Sequence, residues 1–338
     1  MKKLSTTAIQ LIKLLGDGKY HHGKNLGDKL SISRAAVSKH IKHMRELGVA
    51  IEVGSVRGYQ LSTPFTPLEE DSIRKHCPPP LSEKLEVDVF AQLPSTNDYL
   101  KSRPNRADRK LHVCLSEEQT AGRGRLGRQW HSPFGANIYC SVKWHFEGHI
   151  SRLSGLSLVV GLALKKSLGS LSIDGLAVKW PNDIFLNGRK LAGILIDIQA
   201  ESHGGADVII GFGINVNMSE DTSIETAWTS LYQASGQTYD RNILIGHCFE
   251  SLVWHLEKFK QEGLAGFLSD WESADLLKGK NITIQQHHEC FEGQADGIDA
   301  DGNLKLIMHD GKTVVFSSGD ASLHSGYTNS AAGSDPNF

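Results

Sequence analysis

The sequence lacks the features that mark a membrane, disulfide-rich or disordered protein. No apolar run approaches the roughly 20 residues that a membrane-spanning helix needs, and the longest candidate, Leu153 to Leu164, holds two serines. Only five cysteines occur, at least 26 positions apart, so a Cys-x-x-Cys metal or redox pair is excluded. The composition is otherwise ordinary for a globular chain. We therefore expect a cytoplasmic protein with reduced thiols and no membrane partner.

Charge is distributed unevenly along the chain. Residues 1–62 carry eleven Lys or Arg and only four acids, so this end has a net charge of +7 and the remainder −9. A basic segment attached to an acidic body indicates a separate module whose partner is a polyanion.

Residues 1–65 have the pattern of a winged helix-turn-helix. Apolar residues at helical spacing between Ala8 and Leu15 predict a first helix, and Ser33 can cap a third helix with a buried apolar face. Acids are missing from residues 29–45, which weakens the alternative that the charges only solvate a helix. We expect phosphate and base contacts with DNA from this helix and the wing. The predicted DNA-binding residues are Arg34, Ser38, Lys39, Lys42 and Arg57.

A proline-rich segment separates this module from the rest of the chain. Five of the ten prolines lie between residues 63 and 80. This composition predicts a linker at 66–82, with one helical turn near Leu68 to His76.

The remainder divides into a large and a small unit. Residues 83–275 mix predicted strands with two long helices, Ser151–Leu168 and Arg241–Gln261, which favours an α+β fold with a mixed sheet. Residues 276–325 contain only short strands with Asp-Gly turns and predict a small SH3-like β-barrel. Residues 326–338 have the composition of a disordered tail.

The most informative stretch runs from Gln119 to Trp130 and reads QTAGRGRLGRQW. Its glycines satisfy GxGxxG, but the following residues up to Gly135 cannot begin a helix cleanly, so a dinucleotide fingerprint is excluded. Three arginines on a glycine-rich backbone suit bidentate binding of phosphate or carboxylate. An RG-rich loop that contacts RNA is the alternative from composition alone.

Three further segments carry polar groups suited to ligand binding. Lys179-Trp180-Pro181-Asn182-Asp183 holds a lysine, an amide and a carboxylate that suit a phosphate–magnesium site, although Asn and Asp are also common in turns. Ser95-Thr96-Asn97 is either a helix cap or a ligand contact. The segment from Gly211 to Val216 is a strand with two glycines, which indicates that another group approaches the backbone closely.

Together, in this order and spacing, these segments resemble the biotin–protein ligase family. The stretch from Ser33 to His40 is similar to the bifunctional bacterial members, which are also biotin operon repressors. The resemblance implies biotin contacts by eight positions of this chain, namely Ser95, Thr96, Asn97, Gln119, Arg123, Gly124, Arg125 and Lys190. It implies ATP contacts by Arg128, Trp130, Lys179, Asn182 and Asn215, with Asp183 at Mg²⁺.

The resemblance also implies a two-step reaction. Biotin and MgATP give biotinyl-5′-AMP, and a lysine of a biotin carboxyl carrier protein then takes the biotinyl group. Lys190, Arg123 and Arg125 are the residues expected to act on the reacting groups. Operator DNA of biotin biosynthesis genes is the second expected partner, bound by a homodimer that forms when biotinyl-AMP is present.

Two other functions stay open at this point. One is a ligand-sensing repressor whose ligase-like domain does not turn over, against which the intact Lys190, Arg123, Arg125 and Asp183 argue. The other is a lipoate ligase, since that fold is related. Ser95-Thr96-Asn97 and the winged helix favour biotin.

Overall fold

The structure is a computed structural model that describes residues 1–54, 57–63, 65–104, 111–171, 173–200, 205–220, 224, 226–286 and 289–323. The predicted tail at 326–338 and part of the predicted wing lie outside the described residues. No helix in the described part of the chain is both long and apolar enough to cross a membrane.

The N-terminal unit is a winged helix-turn-helix, as predicted. Ser33 accepts a hydrogen bond from the Ala36 amide and starts the third helix, which buries Val37, Ile41 and Met44 against the other two. The elements are α1 (Thr6–Leu15), α2 (Gly23–Leu30), α3 (Arg34–Glu46) and the antiparallel hairpin β1 (Ile51–Gly54) and β2 (Gly58–Leu61).

The segment predicted as a linker packs against the central unit. It contains two short helices, α4 (Glu70–Lys75) and α5 (Pro79–Ser82). Leu68, Ile73 and Leu81 are buried in the same core as the central sheet, because apolar residues between the prolines bury surface that a flexible linker would expose. The domain boundaries given in the sequence analysis remain predictions.

A seven-stranded mixed sheet forms the central unit, and this confirms the predicted fold class. Its strand order is β3-β4-β5-β9-β8-β7-β6; β3 and β4 are parallel, whereas the other neighbours are antiparallel. The strands are β3 (Leu85–Phe90), β4 (Leu111–Ser116), β5 (Ile138–Phe146), β6 (Leu176–Lys179), β7 (Asp183–Leu186), β8 (Arg189–Ala200) and β9 (Ala206–Ile214).

Helices cover the sheet and bury its apolar face. The predicted helix Ser151–Leu168 is interrupted, because Gly155 adopts a left-handed conformation with φ 74° between a 3₁₀ turn and the next helix. The long predicted helix Arg241–Gln261 is present almost unchanged. The helices are α6 (Thr96–Lys101), α7 (Leu156–Gly169), α8 (Leu231–Ser235), α9 (Arg241–Glu262) and α10 (Leu268–Ala274).

The C-terminal unit is a five-stranded antiparallel sheet in the order β13-β12-β11-β10-β14. This sheet is compatible with the predicted SH3-like barrel, although β13 and β14 do not pair with each other. Its strands are β10 (Asn281–Gln286), β11 (Glu289–Ile298), β12 (Leu304–Met308), β13 (Thr313–Phe316) and β14 (Asp320–Leu323).

Among the described residues, the basic N-terminal unit contacts the rest of the protein at several places, including one ahead of α1 and one after α3. Ahead of α1, the Lys2 amide donates to Gln92 O at 2.8 Å, and the Lys2 carbonyl accepts from Ala91 N at 2.7 Å. After α3, Gly48 lies against Phe134, where a Cβ atom on the glycine would be 2.8 Å from Phe134 Cβ. The charge pattern predicts a separate N-terminal module. In the structure this unit is joined to the central unit by backbone hydrogen bonds and close packing.

Candidate active site and nucleic-acid interface

A pair of glycines on neighbouring strands forms the floor of the candidate active site. Gly193 of β8 lies opposite Gly213 of β9, and the indole of Trp130 covers both. A Cβ atom on Gly213 would lie 2.5 Å from this ring, and one on Gly193 would lie 3.0 Å from it. Trp130 thus makes one of the close approaches that the glycines of β9 predict.

The arginine loop closes over this floor without forming an α-helix, as the sequence context predicts. Arg123 and Gln129 pair across its base, and Gly124 N donates to Arg128 O at 2.7 Å. Leu126 has φ 54° at the tip and is 75% exposed.

Two of the three arginines in the loop form ion pairs with carboxylates from other elements. Arg123 pairs with Asp98 on α6, and Arg128 pairs with Asp320 on β14. The arginine side chains are 45% and 65% exposed, so water screens both pairs. The loop is therefore held weakly from two sides, and either arginine can exchange its carboxylate for a ligand anion.

Arg125 has no such carboxylate partner among the described residues. Among the described residues its guanidinium donates to two neutral oxygens, Asn182 Oδ1 at 3.3 Å and Gly319 O at 3.4 Å. The positive charge at the centre of the site is consequently available to an anionic ligand.

The KWPND segment forms a rigid turn between β6 and β7. The Trp180 indole donates to Gly302 O at 3.0 Å, and Asn182 Nδ2 donates to Ile194 O at 2.6 Å. Lys179 pairs with Asp183 across the turn, and burial lowers the pKa of Lys179 while Asp183 opposes this shift. The turn therefore brings an amide, a lysine and a carboxylate together, and its amide contacts Arg125.

Lys190 and Asp183 form an ion pair under the arginine loop. Lys190 Nζ lies 2.7 Å from Asp183 Oδ2 and 5.5 Å from the centre of the Trp130 ring. Asp183 Oδ1 and Trp130 Nε1 are buried without a hydrogen-bond partner in the described part of the protein. Because buried polar atoms are almost always paired, these two atoms are candidates for contact with a ligand.

The segment predicted as a cap or a ligand contact has the geometry of a cap and also borders the site. Ser95 Oγ accepts from the Asp98 amide at the start of α6. Gln119 Oε1 accepts from Thr96 N at 2.8 Å, and the Asn97 side chain lies over Gly211, where a Cβ atom would be 2.1 Å from Asn97 Oδ1. Tertiary packing therefore brings Gln119 to the Ser95-Thr96-Asn97 segment.

Asn215 lies at the edge of the site, just after β9. It is buried, and its Nδ2 donates to Thr229 O at 3.0 Å. Thr229 N in turn donates to Lys190 O at 2.9 Å. In this structure Asn215 therefore holds the backbone around Lys190.

Sequence reasoning missed the acidic partners of the loop. Asp98 and Asp320 are 25 and 192 positions from the arginines that they contact, and nothing in the local pattern distinguishes them from surface acids. Ser141 is also missing from the predicted site, although it is buried between Thr96 and Asn97.

The predicted DNA-binding residues are all exposed. Arg34, Ser38, Lys39 and Lys42 are exposed on α3, outside its buried stripe. Arg57 is exposed on the wing and lies 5.9 Å from the centre of the Tyr20 ring. The fold thus presents a helix face and a wing of the same charge on one module.

Known proteins match this architecture along nearly the whole chain. Residues 89–215 match the biotin/lipoate A/B protein ligase family, residues 7–60 match an HTH domain, and residues 278–324 match the biotin protein ligase C terminal domain. The bifunctional ligase/repressor BirA of Salmonella typhimurium is 39% identical over 96% of this chain and 99% of its own. The Escherichia coli protein of the same name is 38% identical over the same shares.

A solved structure agrees with most of this fold. The biotin protein ligase from Aquifex aeolicus in complex with biotin and ATP superimposes with a TM-score of 0.62 at 27% identity, covering 71% of this chain and 98% of that one. The chain therefore belongs to the biotin/lipoate protein ligase family, with the helix-turn-helix organisation of its bifunctional ligase/repressors.

Proposed function

We propose that this chain is an ATP-dependent biotin–protein ligase that is also a biotinyl-AMP-dependent repressor of biotin biosynthesis genes. One observation carries the ligase proposal: Lys190 lies near the Trp130 indole over the glycine floor and Arg125 contacts the adjoining turn at Asn182, where Asp183 Oδ1 and Trp130 Nε1 are buried without a partner among the described residues. The relatives named as ligase/repressors and the ligase structure with biotin and ATP support it.

In the first step, a biotin carboxylate oxygen attacks the α-phosphorus of ATP, and the bond to pyrophosphate breaks. Lys190 would hold the biotin carboxylate, while Arg123 and Arg125 would exchange their present partners for carboxylate and phosphate oxygens. Such fixed cations stabilise charge that develops in the transition state. Arg128, Trp130, Lys179, Asn182 and Asn215 are the groups that we assign to the nucleotide.

In the second step, the ε-amine of a lysine on a biotin carboxyl carrier protein attacks the carbonyl carbon of biotinyl-5′-AMP. The amine loses a proton, and the bond from the carbonyl carbon to the AMP oxygen breaks. The arginine loop would keep water from the mixed anhydride until the acceptor lysine arrives.

The residues around Asp183 fit a Mg²⁺ ion that enters with ATP. Asp183 Oδ1 is buried without a partner in the described residues, and Mg²⁺ commonly binds one or two carboxylates together with substrate phosphates. When bound, Mg²⁺ would neutralise phosphate charge. Asp183 would then contact the ion through Oδ1 and Lys190 through Oδ2.

Product analysis tests the ligase proposal directly. The purified chain, incubated with ATP, labelled biotin and a biotin carboxyl carrier domain, should release pyrophosphate and label the carrier domain. Formation of no biotinyl-AMP by correctly folded protein would refute the activity. Adenylate formation without transfer to the carrier would restrict the chain to ligand sensing.

We assign operator DNA as the second partner of the chain, and a homodimer that forms with biotinyl-AMP as the binding species. Two winged helices on a pseudo-palindromic site bind far better than one. Binding to DNA and to a carrier domain also supports a cytoplasmic location.

Point variants of α3 test DNA binding better than a deletion, because removal of residues 1–65 would also remove the Lys2 pairing with Gln92. Arg34→Ala or Lys39→Ala should weaken operator binding and, where the group contacts phosphate, lower the salt slope by about one unit. Ligation should stay unchanged. Equal operator affinity with and without biotinyl-AMP, in a gel-shift titration of the unmodified chain, would refute the coupling.

A further inference from the structure

A buried hydroxyl lies behind the residues that we assign to biotin. Ser141 is 0% exposed in β5, where it pairs across the sheet with Gly211. Its Oγ lies 2.6 Å from Thr96 Oγ1 and 2.5 Å from Asn97 Oδ1. One hydroxyl thus joins two neighbouring side chains of the site from inside the sheet.

The Asn97 amide can take only one orientation. Its nitrogen donates to Leu195 O at 3.2 Å and to Asp197 Oδ2 at 2.8 Å, and both of these oxygens only accept. Asn97 Oδ1 must therefore face Ser141. Since the amide oxygen carries no proton, the Ser141 hydroxyl must donate to it.

This assignment also determines which atom receives the hydroxyl proton of Thr96. Ser141 has a single proton, already given to Asn97, so the contact of 2.6 Å with Thr96 needs the proton of Thr96. The competing acceptor, Gln119 Oε1, is farther away at 3.1 Å and already accepts from the Thr96 backbone amide. The proton order therefore runs from Thr96 to Ser141 to Asn97, and Thr96 Oγ1 keeps lone pairs for a ligand.

We propose that Ser141 is a positioning residue that makes Thr96 a hydrogen-bond acceptor for a ring N–H of biotin. This inference rests on the proposed function. The ureido ring of biotin carries two N–H donors, whereas a dithiolane ring carries none and would leave Thr96 Oγ1 unpaired. A site with a fixed acceptor rejects a ring that lacks the donor, because its buried polar atom then loses a partner.

Calorimetric binding of four ligands tests this role. The ligands are biotin, desthiobiotin, which keeps both N–H groups, and two cyclic carbamate isomers in which one ring N–H is replaced by oxygen. In the unmodified chain, one carbamate should bind at least tenfold more weakly than biotin, since its ring oxygen would face the Thr96 lone pairs. Ser141→Ala frees the Thr96 hydroxyl to turn and donate, so this ratio should fall to about threefold or less.

The matched control is Ser167→Ala. Ser167 is also a buried serine, and its hydroxyl donates to Leu164 O within α7. This variant should keep the full ratio between biotin and carbamate. Ser141→Ala should weaken biotin and desthiobiotin equally, by about tenfold, with ATP binding unchanged.

Each outcome decides one question. If the unmodified chain binds biotin and Ser141→Ala keeps the carbamate ratio, the positioning role is wrong and the ligase proposal stands. If the unmodified chain does not bind biotin, both proposals fail. Should Ser141→Ala not fold, Thr96→Val replaces the acceptor with a group of similar shape, and an unchanged ratio in that variant overturns the inference.

Discussion

Two ion pairs in the central unit differ in how completely their polar atoms are hydrogen-bonded. The first, Arg241–Glu117, is 2% and 1% exposed with a separation of 2.6 Å. Arg241 also donates to Asn137 O and Thr66 O, and the second oxygen of Glu117 accepts from Leu68 N. The pair joins α9, the residue after β4 and the segment before α4, and neither side chain has a buried polar atom without a partner among the described residues.

The second pair, Lys190–Asp183, has a similar separation of 2.7 Å but is partly open to solvent. One of its carboxylate oxygens is buried without a partner among the described residues. The two pairs have similar separations, so separation alone does not tell them apart, and we expect the incompletely hydrogen-bonded pair to be the one that contacts a ligand. The first pair should determine stability, and the second should determine chemistry.

The largest expected effect is the loss of stability when the structural pair is broken. Arg241→Ala leaves the Glu117 carboxylate buried and unpaired, and we expect the free energy of unfolding to fall by about 3–5 kcal/mol. Urea denaturation measures it. The double variant Arg241→Met with Glu117→Leu removes both charges and should recover much of the loss. A change below about 1 kcal/mol in Arg241→Ala would remove the contrast between the pairs.

Breaking the Lys190–Asp183 pair should lower the reaction rate and leave stability nearly unchanged. Lys190→Ala should slow biotinyl-AMP formation by roughly 10²–10³-fold, the usual loss for one fixed donor at a developing charge, and should leave the urea midpoint close to that of the unmodified chain. Pyrophosphate release measures the rate. Lys305→Ala, which breaks a lysine–aspartate pair in the C-terminal sheet, is the control. Full activity of Lys190→Ala would contradict the assignment.

A smaller effect is expected where the cation lacks an anionic partner. Arg125→Gly should leave the fold intact and speed release of the adenylate by about ten- to a hundredfold, because a charge-assisted hydrogen bond contributes roughly 1.5–3 kcal/mol. The off-rate of biotinyl-AMP measures this effect, with Arg152→Gly, an exposed arginine away from the site, as control. Coincident off-rates would exclude Arg125 from this role.

The smallest effect belongs to the exposed pair between the loop and β14. Asp320→Asn should change adenylate affinity by no more than about fivefold, since exposed ion pairs contribute at most about 1 kcal/mol. The change should also shrink as salt is raised. A titration at low and high salt measures it, and a salt-independent loss above tenfold would mean that Asp320 acts on the ligand directly.

The sequence by itself determined the features that depend on neighbouring residues. The cap at Ser33 and the stripe of Val37, Ile41 and Met44 specify α3 within three or four positions. The GRGRLGR and KWPND segments likewise carry the family resemblance in a few adjacent residues. Because capping and periodicity are local, these predictions needed no knowledge of strand order.

Only the tertiary structure decided which distant groups meet. Strand register sets Gly193 beside Gly213 and Ser141 beside Gly211, and no periodicity in the sequence gives that register. The partners Arg241 and Glu117 are 124 positions apart. Whether a buried charge is satisfied depends on every element packed around it, so the sequence could name Lys190 and Asp183 but only the fold could show the oxygen that stays free.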